Sequence, residues 1–106
     1  MMLINRKRGE IAAELGGKER ALCLTLGALA ELEGHFGAED LAALTQRFSS
    51  GRLSAGDLLT IIHAGLKGAG HTFTRDEVAE MQAQGGAAGY ARIVSELLQA
   101  TFGGDG

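Results

Sequence analysis

The hydrophobic pattern of this chain changes period once, near residue 25, and that change limits the folds open to it. Ile11, Ala13 and Leu15 alternate with Glu10, Ala12 and Glu14; further on, Leu22, Leu24 and Leu26 alternate with Ala21, Cys23 and Thr25. A period of two marks a strand with one buried face. The runs are joined through Gly16-Gly17, two residues that tolerate the positive φ of a primed hairpin turn. From Leu26 onward the period is 3.6. The fold class is therefore α+β, mostly α: an N-terminal β-hairpin followed by about five helices packed as a small bundle.

The turn leaves two registers open. A two-residue loop at Gly16-Gly17 pairs Ile11 with Leu22, and a four-residue loop ending at Glu19 pairs Ile11 with Leu24. In either case Ile11, Leu22 and Leu24 share one face, and Glu10, Glu14 and Cys23 share the other.

Five helices are expected after the hairpin. The first opens at Thr25 or Leu26 and ends at Gly34 or Gly37, with Leu26, Leu29, Leu32 or Glu33, and Phe36 at helical spacing. The second runs from about Glu39 to Phe48, its Leu41, Leu44 and Phe48 on one stripe and its acids in the first turn, where the helix dipole favours them. Ser54 and Asp57 form a loose capping box before the third, the most apolar and so the central one, which carries Leu58, Ile61, Ile62 and Leu66 and is expected to stop in the glycine run from Gly65 to Gly70. Thr74 and Glu77 form a full capping box before a short fourth helix, with Phe73 and Val78 placed for a hydrophobic staple. The fifth, from about Ala87 to Phe102, has an unbroken stripe of Tyr90, Ile93, Val94, Leu97, Leu98, Thr101 and Phe102.

The 106 residues make a single domain: 1–8 a flexible basic arm, 9–25 the hairpin, 26–102 the helices and 103–106 a frayed tail. Its 15 Leu, 5 Ile, 4 Phe, 3 Met and 2 Val can form a core without a metal or a disulfide. Cys23 is the only cysteine, so no intrachain disulfide can form and stability needs no oxidising compartment. No apolar run approaches the roughly 18 residues of a membrane span, and Met1-Met2-Leu3-Ile4 is too short for a signal peptide. A cytoplasmic protein of a bacterial host, or one associated with a virion, is the expectation. The net charge of −3 argues against nucleic-acid binding, which usually needs a cationic surplus. The short basic run Arg6-Lys7-Arg8 reads as a solvated arm and leaves a small DNA-binding regulator as a poor alternative.

No group of residues is arranged for chemistry, and neither an enzyme nor a cofactor or metal is expected. Cys23 has no histidine near it in sequence and reads as a packed thiol. His35, His63 and His71 lack the i, i+4 spacing of a helical metal site, and no cysteine pair completes one. Glu31 and Glu33 diverge around a helix. The glycine run Gly65-Leu66-Lys67-Gly68-Ala69-Gly70 follows a helix rather than a strand and lacks the Gly-Lys-Ser/Thr ending of a phosphate loop. What remains is a surface. A two-stranded hairpin has two unpaired edges, which are either blunted by charge or used to dock another chain. Glu10, Ala12 and Glu14, on the hairpin edge and exposed face, are the candidate partner-binding residues. Hairpin edges and the last helix are also the surfaces through which a homodimer could form.

The stretch "RGEIAAELGGKERALCLTLGALAELE", then "AEDLAALTQRFSSGRLSAGDLLTIIHAGLKGAGH", a "TRDEVAEM" helix and a terminal "YARIVSELLQATFG" resemble, in that order, a family of small proteins encoded in gene transfer agent and related tailed-phage clusters. The resemblance runs from Arg8 to Gly103. That family is grouped with phage tail assembly chaperones, and some members are labelled tail tube protein. It implies a role in building a phage-like tail, with the tape-measure protein and tail tube subunits as partners and no chemistry. No residue role is carried over by motif. Tube subunits are expected to be β-rich so that they close into rings, and this chain's excess of helix suits the chaperone label better. A structural component retained in the particle is the alternative.

Overall fold

The computed structural model describes residues 9–37, 43, 46–47, 51 and 53–102. The expected basic arm (1–8) and tail (103–106) lie outside the described residues, as does most of the helix expected over Glu39–Phe48, of which Ala43, Gln46 and Arg47 are described and helical.

Gly16 and Gly17 both take positive φ, 64° and 84°. A two-residue primed turn requires this of both its central residues, and glycine does it without strain. The turn joins β1 (Glu10–Leu15) to β2 (Lys18–Cys23) as an antiparallel pair, and Ile11 stands opposite Leu22. This is the shorter of the two loops left open by the sequence. The facing follows: Ile11, Ala13, Leu15 and Leu22 are buried, and so is Leu24 just past the strand, while Glu10, Glu14 and Cys23 are on the other side.

Among the described residues four helices follow, where about five were expected. α1 (Leu26–Phe36) opens on Thr25, whose hydroxyl accepts from the Ala28 amide at 3.1 Å, and closes at Gly37. Thr25 is thus a helix cap rather than a strand residue beside Cys23. α2 (Ala55–Gly68) starts on the capping box, here complete: Ser54 Oγ accepts from the Asp57 amide and the Asp57 carboxylate from the Ser54 amide. α3 (Arg75–Ala79) has the Thr74–Glu77 box in both directions. α4 (Gly86–Phe102) buries Ile93, Val94, Leu97 and Leu98 and leaves Phe102 at the surface.

One expectation about faces needs correction. The expected stripe on α1 began at Leu26, but Leu26 is 83 % exposed, and the buried residues are Ala28, Leu32 and Phe36. Of the two alternatives at the third stripe position Leu32 is the buried one, and Glu33 is half-buried. The central helix ends at Gly68, inside the glycine run in which it was expected to stop, and Gly65 and Gly68 are themselves its last glycines. Tertiary contact explains these two glycines. A Cβ on Gly65 would lie 2.7 Å from a Leu97 methyl carbon, and one on Gly68 would lie 2.0 Å from the Cys23 carbonyl oxygen. Glycine here lets α2 come down onto β2 and α4.

α2 is the centre of the molecule, packing on β2, α1, α3 and α4. Its Ile61, Ile62, Ala64 and Leu66 join Ile11, Leu15, Leu22, Leu32, Val94 and Leu97 in a single core. Among the described residues no polar or charged residue is buried.

Candidate protein-binding site

The hairpin register decides which backbone groups face outward. The pair closing a two-residue loop, Leu15 with Lys18, exchanges hydrogen bonds, and so do alternate pairs behind it. The amides and carbonyls of Glu10, Ala12 and Glu14 therefore point away from β2, toward the outer edge of β1. Their side chains lie on the sheet face turned from the core, with Glu19, Ala21 and Cys23 of β2. The structure thus brings the three candidate residues together on one edge and one face. The charge on that face is acidic, because Lys18 and Arg20 alternate to the other side.

Both edges are partly covered. On β2, Gly68 of α2 abuts the Cys23 carbonyl. On β1, Leu15 forms an isolated antiparallel bridge with Ala83, and the Gly16 amide donates to the Gln82 carbonyl at 3.0 Å. Among the described residues no other strand pairs beside Ala12.

The hairpin is held in place from below. Arg20 Nε donates to the Leu15 carbonyl at 2.9 Å, and its guanidinium carbon lies 4.9 Å from the centroid of the Phe73 ring. His71 stacks on the same ring, and the Phe73 carbonyl accepts from His63 Nε2 at 2.9 Å. His63 and His71 therefore converge on Phe73, whereas His35 is in the last turn of α1 against Phe36. Glu31 is paired with Lys67 of α2 at 2.9 Å, which ties α1 to the central helix. Among the described residues no group of His, Cys, Asp and Glu is arranged to hold a metal.

One feature gave no signal in the sequence. An apolar pocket of about 290 Å³ opens between the first half of α2, α3, the start of α4 and the turn end of β1. Leu15, Leu59, Ile62, Val78, Met81 and Tyr90 line it, and the Tyr90 hydroxyl is turned to the Met81 carbonyl at 2.5 Å. At the rim the Arg75 guanidinium donates to the Gly56 carbonyl at 3.2 Å and to the Thr60 hydroxyl. Four separate elements make this pocket, so no local motif announces it.

A family model described as "Phage tail tube protein, GTA-gp10" matches residues 8–104. The chain belongs to this family. The GTA-gp10 description is that of a structural tail protein and names no reaction. The match spans the hairpin, the central helix and the pocket together. No curated protein and no solved structure matches the chain. Among the described residues of this GTA-gp10 member no helix is long and apolar enough to cross a membrane.

Proposed function

We propose that this phage-tail protein is an assembly chaperone or adaptor, which binds the tape-measure protein, tail tube subunits or both while the tail is built. The observation that carries the reading is the β1 edge at Ala12, with outward-facing backbone groups beside an acidic sheet face. Such an edge takes an extended segment by main-chain pairing, and the side chains around it select which segment.

The same charges weigh against pairing between two copies. Two β1 edges set antiparallel about Ala12 would oppose Glu10 of one copy to Glu14 of the other, and like charges directly across a sheet are destabilising. The edge suits a partner that is not acidic at those positions.

Co-expression with the tape-measure protein of the same gene cluster tests the proposal. The expected result is a soluble tape-measure protein that co-elutes with this chain on sizing. Unchanged solubility with no complex would sink it. A second reading, a structural component retained in the particle, is supported by the tail-tube wording of the family description. Mass spectrometry of purified particles separates the two, because a chaperone is absent or far below stoichiometric amounts.

A further inference from the structure

We propose that the segment docked on β1 carries a lysine or arginine opposite Ala12, between two apolar residues. This rests on the docking at β1 proposed above and names the chemistry that the edge selects.

The hairpin register lays out the outer sheet face as six positions. Glu10, Ala12 and Glu14 stand on β1, and Cys23, Ala21 and Glu19 stand opposite them on β2. None of these three pairs exchanges backbone hydrogen bonds, so each has the closer of the two cross-strand spacings. At the centre Ala12 meets Ala21, both half-buried, and the two methyl groups form a low apolar floor. At the turn end Glu14 meets Glu19, both exposed. Like charges directly across a sheet are destabilising. Lys18 and Arg20 alternate to the other side and do not offset them, and Arg20 is engaged with the Leu15 carbonyl and the Phe73 ring. Among the described residues neither Glu14 nor Glu19 has an ion-pair partner; the ion pair is that of Lys67 with Glu31.

A strand added to β1 hydrogen-bonds opposite Ala12, whose amide and carbonyl point outward. Its residue there stands on the acidic face, diagonal to Glu10 and Glu14 at about 7–8 Å, a separation that long side chains bridge. A lysine or arginine at this place lays its apolar stem on the floor of Ala12 and Ala21 and brings its charge to Glu14 and Glu19 at the floor's end. A glutamate there adds one more like charge, and a leucine leaves the acid pair as it was. The residues on either side of the basic one turn to the opposite face, beside the buried Ile11 and Ala13, where β1 packs on α4. Apolar side chains are favoured at those two places. The pattern apolar–basic–apolar reads the same in both directions, so it serves parallel and antiparallel docking alike.

Two acetylated and amidated peptides test it, Thr-Val-Arg-Val-Thr and Thr-Val-Glu-Val-Thr, titrated into the isotope-labelled chain with the Ala12 amide followed by NMR. The arginine peptide is expected to bind about tenfold more tightly than the glutamate peptide. That preference is expected to vanish in the double variant Glu14→Gln/Glu19→Gln and to shrink as salt is added. The double variant is also expected to unfold at a higher urea concentration than the wild type, because the repulsion across the hairpin is gone. Equal binding of the two peptides would overturn the charge rule and leave docking at β1 standing. A preference that survives the double substitution, or a double variant with a lower urea midpoint, would overturn it too. If neither peptide binds, the proposal fails, and co-expression with the tape-measure protein then decides separately whether the edge docks a client at all.

Discussion

Gly68 of α2 is in backbone contact with Cys23 of β2: a Cβ on the glycine would lie 2.0 Å from the Cys23 carbonyl oxygen and 3.1 Å from its carbon. The obstacle is main chain, which cannot swing aside. Gly68→Ala is therefore expected to push α2 off the hairpin and cost about 2–3 kcal/mol of stability in urea denaturation. Gly34, helical in α1 with nothing within 4 Å of a would-be Cβ, provides the opposite control. Gly34→Ala should stabilise by about 0.5–1 kcal/mol, because alanine loses less conformational freedom in a helix. If both substitutions moved the denaturation midpoint the same way, the close contact at Cys23 would be refuted.

Gly65 meets a side chain instead, the Leu97 methyl carbon at 2.7 Å, with Leu22 atoms at 3.2 and 3.3 Å. Leu97→Ala alone should cost about 2–5 kcal/mol through the cavity it leaves in the core. In that background Gly65→Ala gains room for its methyl. A double-mutant cycle by denaturation should show Gly65→Ala costing less with Leu97 truncated than with it present. Simple additivity would show that the two positions do not share space.

α3 has only five residues, so its cap carries much of its order. Removing the Thr74 hydroxyl leaves the Glu77 amide without its acceptor, and Thr74→Ala should cost about 1 kcal/mol. Thr74→Ser should cost little, since serine caps as well. Hydrogen exchange at Glu77 and Val78 gives the local reading, and Val78 also reports the pocket wall. Equal protection in the two variants would contradict the capping account.

Ala12 distinguishes fold from docking. Its amide points outward, so proline there removes a donor that the hairpin does not use, a position where edge strands tolerate proline. Ala12→Pro is expected to keep the circular dichroism spectrum and to lose co-elution with the tape-measure protein. Retained co-elution in a folded variant would rule out strand addition at β1.

Much of this architecture was legible because it is periodic. Alternation about Gly16-Gly17 specified the hairpin and its facing, and the boxes at Ser54 and Thr74 placed the starts of α2 and α3 to the residue. The limits arise where neighbours distant in sequence decide. On α1 the rows through Leu26 and Glu33 and through Ala28, Leu32 and Phe36 both keep helical spacing, and only the position of α2 selects the second. The run from Gly65 to Gly70 read as a stop, and the helix does end in it, but the need for glycine at Gly65 and Gly68 is set by a strand more than 40 residues earlier. Glu10, Ala12 and Glu14 were legible as a shared face. The pocket was not, because each of its walls contributes only a few residues.

The bridge between Leu15 and Ala83 gives the β1 edge a direction. With the Gly16 amide held by Gln82, the turn end of the edge is shut, and a segment pairing with β1 must come to rest before it. On the proposed docking, a segment paired at Ala12 would meet this stop and could not slide past it toward the turn. On that proposal the bridge at Leu15 would make the edge a gauge of length as well as a point of attachment.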